Sequence, residues 1–234
     1  AIRVRLRYNG SGKIRKRGPG MYEGKIKLIE YQGRELRFLN QRSRNWTHPY
    51  PYGENDDSTL SSAGCGIFSI AHVVEWFTGK RMKPESLADF SVENGGRGDD
   101  GTDRPALLGA MMAHGYAGQC GFSYQLDGLR NDLEALWEHM RAGNAALCNL
   151  RVGHIVALVD ARETERGREY LVIDSYSESA HEKVKNAVRE VVEASSITAP
   201  VRNAEGLEVG ETTQYAMYWV DANQPKDFNL LHRL

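Results

Sequence analysis

Three side chains of this 234-residue chain have the types needed for nucleophilic chemistry: the thiol of Cys65, the imidazole of His154 and the carboxylate of Asp174. A cysteine attacks carbonyl carbon well only as the thiolate, and a free thiol with a pKa near ~8.5 is mostly protonated at neutral pH. In SSAGCGIFSIAHVVEW, Gly64 and Gly66 flank Cys65 where a helix begins, so the sulfur would face the positive end of the helix dipole. These glycines, with Gly153 directly before His154, would also let a substrate backbone come close and form the candidate substrate-binding set. Against this stands the ordinary fate of a free cysteine, a small buried apolar residue, and for Cys65 alone the two readings weigh equally.

The pair His154 and Asp174 shifts that balance. HIVALVD and EYLVID flank the polar stretch ARETERGR and should form an antiparallel hairpin. A turn centred on Thr164 puts His154 opposite Asp174, with Val156 opposite Val172 and Leu158 opposite Tyr170 on the same face. Directly opposed residues have Cβ atoms only ~4.5–5.5 Å apart, close enough for a carboxylate to hold an imidazole N–H. Singly, His154 could be a strand-end histidine in solvent and Asp174 a turn or capping residue. Together they supply a base and the group that orients it, which is what a cysteine nucleophile needs.

The elements that must position these residues follow from periodicity. Ile67, Ile70, Ala71, Val74 and Phe77 repeat at helical spacing after Cys65, and Phe68, Val73 and Trp76 carry the apolar surface nearly all round, so this helix must be buried. Ser69, His72 and Glu75 form its polar stripe, where His72 reads as a hydrogen-bonded core histidine. Gly79 stops the helix. Further helices are expected from Pro84, from Asp103 to His114 with Thr102 as cap, and along the stripe Leu129, Leu133, Leu136, Trp137 and Met140. From residue 144 the pattern turns to strands: AALCNL, HIVALVD, EYLVID and QYAMYWV. Helices followed by strands mark an α+β protein. Residues 175–213 read as an insertion carrying a polar helix with Val184, Val188, Val191 and Val192 on one side. Residues 1–38 read as a β-rich extension, with IRVRLRY as one strand and KIKLIEY and ELRFL as a hairpin, leaving 39–234 as the main domain.

Composition bounds the function. Charged residues at 26% and hydrophobic ones at 41% exclude a disordered or collagen-like chain, and no apolar run reaches the ~18 residues of a membrane span. The net charge of −1 gives no overall pull toward nucleic acid. The first seventeen residues, however, carry Lys and Arg and no acid, which makes them a candidate contact for an anionic cell-wall polymer or membrane surface, although an edge strand guarded by Arg is the better reading. Cys65, Cys120 and Cys148 are far apart with no histidine set at ligand spacing, so neither metal nor cofactor is expected. Asp99, Asp100 and Asp103 crowd one loop, but their spacing is not that of an EF-hand, and a solvated turn is the better reading. The start at Ala1 without a Met fits either removal of a signal peptide or a shortened segment, and on the first reading the protein would be secreted or envelope-associated.

The stretch from Gln41 to Asp174 resembles bacterial papain-like cysteine peptidases related to the bacteriocin-processing, double-glycine-leader peptidases. The resemblance rests on Gln41, Trp46 five residues later, Tyr52–Gly53, Ser58–Thr59, Gly64–Cys65–Gly66, Gly153–His154 and Asp174. It implies a papain-like α+β fold, with the cysteine helix packed on an antiparallel sheet, and hydrolysis of a peptide or protein substrate through a thioacyl intermediate. It also implies a role for Gln41, whose amide would join the Cys65 backbone N–H in an oxyanion hole; such a donor is worth roughly 2.7–4 kcal/mol. Trp46 would pack beneath that loop. Ile67–Phe68–Ser69 replaces the Pro-Thr-Ser common after Gly-Cys-Gly in similar proteins. Two other functions are compatible with the same residues: an amidase or transglutaminase-like acyltransferase, and a silent module binding peptides or wall polymers.

Overall fold

The computed structural model describes residues 24–151, 154–176, 185–203, 205 and 207–234. The basic N-terminal run, the Ile2–Tyr8 strand, Gly153 and Val184 lie outside the described residues. In chain order the elements are β1 (Ile26–Tyr31), β2 (Arg34–Leu39), α1 (Leu60–Ala63), α2 (Cys65–Thr78), α3 (Pro84–Glu93), β3 (Arg97–Gly98), β4 (Gly101–Thr102), α4 (Arg104–Ala113), α5 (Tyr116–Gln119), β5 (Phe122–Ser123), α6 (Leu133–Arg141), β6 (Ala145–Arg151), β7 (His154–Thr164), β8 (Gly167–Ile173), β9 (Val188–Val191), β10 (Ser196–Arg202), β11 (Glu208–Tyr215), β12 (Met217–Asp221) and β13 (Asp227–Arg233). The protein is α+β, as expected. Its centre is an antiparallel sheet of seven strands among the described residues, in the order β5-β13-β6-β7-β8-β12-β9.

Alternation along these strands gives the sheet two buried faces. Leu147, Ile155, Ala157, Leu171, Ile173, Met217 and Trp219 pack toward α2, whereas Cys148, Val156, Leu158, Tyr170, Val172, Tyr218 and Val220 pack toward Leu136, Trp137 and Met140 of α6. α2 is buried along nearly its whole length, ending at Gly79 with φ +70°. Its polar stripe is what fixes it in place. The Ser69 hydroxyl donates to Ile155 O at 3.0 Å, His72 Nε2 accepts from the Leu39 N–H at 3.1 Å, and Glu75 Oε1 accepts from the Arg37 N–H at 2.9 Å. Successive turns of one helix thus grip β7 and β2, each of the three side chains meeting a backbone partner.

Several expectations need correction. The boundary near residue 38 separates no cores: Ile29, Leu36, Phe38 and Leu39 of the β1–β2 hairpin belong to the cluster around α2. That hairpin turns at Gln32 and Gly33, whose φ of +49° and +72° suit a tight two-residue turn. Asp103, not Thr102, caps α4, its carboxylate accepting from the Ala106 N–H at 3.0 Å. Leu129 is 54% exposed and precedes α6, which begins after its cap Asp132. The valines at 188 and 191 stand not on a helix but on β9, pairing with β12: β-branched residues suit a pleated edge that needs a partner. Further along that insertion, β10 and β11 pair as an antiparallel hairpin.

Register in the β7–β8 hairpin also differs. The turn falls at Glu165 and Arg166, since Thr164 pairs with Gly167, and a bulge at Val159 shifts the pairing so that Leu158 faces Val172 and Ala161 faces Tyr170. His154 and Asp174 are therefore not directly opposed; the register runs Ala157 to Ile173, which leaves them diagonal neighbours two residues apart. Among the described residues, no helix is long and apolar enough to cross a membrane.

Candidate active site

Cys65 is the first residue of α2 and is partly exposed as a residue, whereas Cys120 and Cys148 are buried. The segment leading to it is braced on an antiparallel stretch of chain: Leu60 N–H donates to His48 O at 3.1 Å and Ser61 N–H to Trp46 O at 3.2 Å. Trp46 is buried with its ring centroid 5.0 Å from that of Phe68, and its indole N–H donates to Asn40 O at 2.9 Å, the packing role expected of it. Gly64 and Gly66 are buried, and protein fills the space a side chain would need. A Cβ at Gly64 would stand 2.5 Å from Leu60 O, and one at Gly66 2.5 Å from Thr102 Cβ. Glycine at these two positions serves close packing of the helix start against α1 and β4, not room for a substrate backbone.

His154 opens β7, and the Ser69 bond to its neighbour Ile155 holds that strand end against the first turns of α2. The diagonal offset from Asp174 is within reach of two long side chains across a pleat. His154 Nε2 and Asp174 Oδ1 are 2.7 Å apart, and both residues are buried. With Nε2 on the carboxylate, Nδ1 is the nitrogen left for the sulfur, and the ring and the Cys65 thiol each shift the other's charge. The three residues singled out from the sequence therefore converge, although the first and the last are 109 positions apart in the sequence.

The charges favour a proton on the ring. Burial pushes the Cys65 thiol up, but the hydrogen bond and charge of His154, with the backbone N–H groups of Ile155 and Gly66, outweigh it and hold the thiol below its usual range. Burial pushes His154 down, and the Asp174 charge and hydrogen bond, then the Cys65 sulfur, raise it well above the ordinary histidine value. The other two thiols go the opposite way: burial raises Cys120 to about 11 and Cys148 higher still.

Asp174 is held from several sides. Its N–H donates to Ala216 O at 2.8 Å, Oδ1 also accepts from the Tyr176 N–H at 2.9 Å, and Oδ2 accepts from the Tyr218 hydroxyl at 2.9 Å. The Tyr176 ring meets His154 edge-on at 5.6 Å and carries the Arg42 guanidinium over it at 4.8 Å. Gln41 lies buried on the loop after β2, tied to both sides of the site. Its backbone N–H donates to Ser175 O at 2.9 Å, its Oε1 accepts from the Ser175 hydroxyl at 3.3 Å, and its Nε2 donates to Ser61 O at 3.4 Å. Sequence reasoning missed Tyr176 and Tyr218. The signal for Tyr218 was weak but physical: a phenol at a core-facing strand position needs a partner for its hydroxyl.

Among the described residues, no group of three or more His, Cys, Asp or Glu side chains is placed to hold a metal ion. Compared with protein-family models, with curated proteins and with solved structures, the chain matches none of them.

Proposed function

We propose that this chain is a cysteine peptidase of papain-like type, hydrolysing peptide bonds through a covalent thioacyl intermediate. One observation carries the reading. The thiol of Cys65, at the first residue of a buried helix, is held below its usual range by His154, and Nε2 of that ring lies 2.7 Å from a fully buried carboxylate.

The chemistry then runs as acyl transfer. His154 holds the proton of Cys65, and the thiolate adds to the peptide carbonyl carbon while the C=O pair becomes an oxyanion. The Cys65 backbone N–H and the amide of Gln41 stabilise that oxyanion; the Gln41 amide nitrogen has two hydrogens, and Ser61 O takes one. The tetrahedral adduct collapses as His154 gives its proton to the leaving nitrogen, breaking the C–N bond and leaving a thioester. Water, losing a proton to His154, adds to the thioester; the acid product departs and the sulfur leaves as thiolate beside the protonated ring.

A peptide bearing an electrophilic warhead tests this. Mapped by mass spectrometry at neutral pH, Cys65 should be modified at least about 100-fold faster than Cys120 or Cys148, because both of those thiols are held protonated. Equal rates at the three cysteines would end the reading and leave a binding module. Where the acyl group is found on an added amine rather than on water, the same site is an acyltransferase.

A further inference from the structure

The carboxylate of Asp174 is reached by three donors from three places in the chain, and one of them comes from a strand that begins 43 residues later. Tyr218 lies on β12 with no exposed surface, paired with Val172 of β8 on one side and Val191 of β9 on the other. Its ring belongs to the apolar core on the α6 side of the sheet, where phenylalanine would pack as well. What tyrosine adds is the hydroxyl, and that hydroxyl donates to Asp174 Oδ2 at 2.9 Å. His154 and the Tyr176 N–H both use Oδ1. Without a donor on Oδ2, the carboxylate would be free to turn about its Cβ–Cγ bond and to carry its charge away from the ring.

We propose that Tyr218 is a positioning residue of the site: its hydroxyl fixes the plane of the Asp174 carboxylate and so sets how firmly His154 keeps the proton of Cys65. This rests on the reading of Cys65, His154 and Asp174 as one reacting set. Burial beside a carboxylate holds the Tyr218 phenol far above its usual range, so it acts as a donor at every working pH. The other titratable and charged groups facing this cluster are Cys65 and His72 from α2, Arg37 from β2 beside His72, Cys148 from β6 beside Tyr218, and Arg42 with Tyr176 against the ring. Of these, only Cys65 exchanges its proton with His154.

The test is the rate at which iodoacetamide alkylates Cys65 in the full chain, followed peptide by peptide across pH, because it needs no knowledge of the substrate. In Tyr218→Phe the acid limb should move up by about one pH unit, an approximately tenfold loss of rate on the acid side, with the alkaline plateau within twofold. An unshifted limb overturns the proposal, and so does an equal slowing at all pH values with a lowered melting temperature, which marks a structural role alone. If Tyr218→Phe does not fold, Tyr218→Phe/Asp174→Asn is compared with Asp174→Asn. Coincident limbs support the coupling through Asp174, and a further shift overturns it. A parent protein whose Cys65 shows no limb below the ordinary thiol range sinks the peptidase reading itself, a result distinct from a normal parent limb that Tyr218→Phe leaves in place.

Discussion

His72 and His154 are each about 2% exposed and both lie within the field of Asp174, yet their charges are pushed in opposite directions. Burial lowers His72 to about 3, with the Arg37 charge adding to the effect and the Asp174 charge opposing it. Its Nε2 spends its lone pair on the Leu39 N–H, and its Nδ1 has no partner among the described residues. His154 hydrogen-bonds Asp174 directly, and the charge of that carboxylate with that of the Cys65 sulfur reverses the effect of burial. The difference shows that depth does not make a histidine a base: a carboxylate in contact does, while the same carboxylate at a distance leaves the ring neutral. One ring is a backbone acceptor that pins β2 to α2; the other is placed to trade a proton with sulfur.

Making the same substitution at both rings is the harshest test of this contrast. His154→Gln should lower peptide turnover by about 10²- to 10⁴-fold, the range expected when a general base is lost. His72→Gln, whose amide oxygen can still accept from Leu39, should leave turnover within about threefold. Comparable losses at both positions would erase the distinction. A smaller effect is expected at the group that separates the two rings. Asp174→Ala should slow turnover by about 10- to 100-fold without abolishing it, since a hydrogen bond to a charged group is worth about 1.5–3 kcal/mol and Cys65 still holds the other nitrogen of the ring. Full retention of rate, measured as kcat/KM on one peptide, would remove Asp174 from the mechanism.

The candidate set was legible in the sequence because each member sits at a place that periodicity marks: Cys65 at the start of an apolar helix, His154 at the start of a strand, and Asp174 at the end of the next. The exact register was not. A bulge at Val159 leaves no signature in an apolar run, and a turn of two residues reads much like one centred a residue earlier. The same ambiguity turned Val188 and Val191 into a helical stripe, since short valine-rich segments match both periods and only the open edge of β12 decides between them. The polar stripe Ser69, His72 and Glu75 was visible, but its partners were not, because they are backbone atoms of strands distant in sequence. Tyr218 was hidden for the same reason: its strand reads as core, and its hydroxyl meets a carboxylate 44 positions earlier.

The smallest effect that still separates the two histidines is in stability rather than rate. A histidine whose folded-state pKa is depressed contributes stability that is present above its unfolded value, near 6.5, and is lost as pH falls toward its folded value. For His72 that window runs from about 6.5 down to about 3. In the window the unfolded chain takes up a proton that the folded chain refuses, so unfolding becomes easier with each step of acidification. From about pH 8 to about pH 5 the ring should account for a loss of about 2 kcal/mol of unfolding free energy. Other groups titrate over the same range, so the quantity to measure is the difference between the parent and His72→Gln in urea unfolding at the two pH values. Turnover-silent His72→Gln should lose less stability on acidification than the parent by about that amount. A parallel dependence in the two proteins would mean that the ring at 72 is charged or solvated in the folded state, and the contrast with His154 would then rest on hydrogen-bond geometry alone.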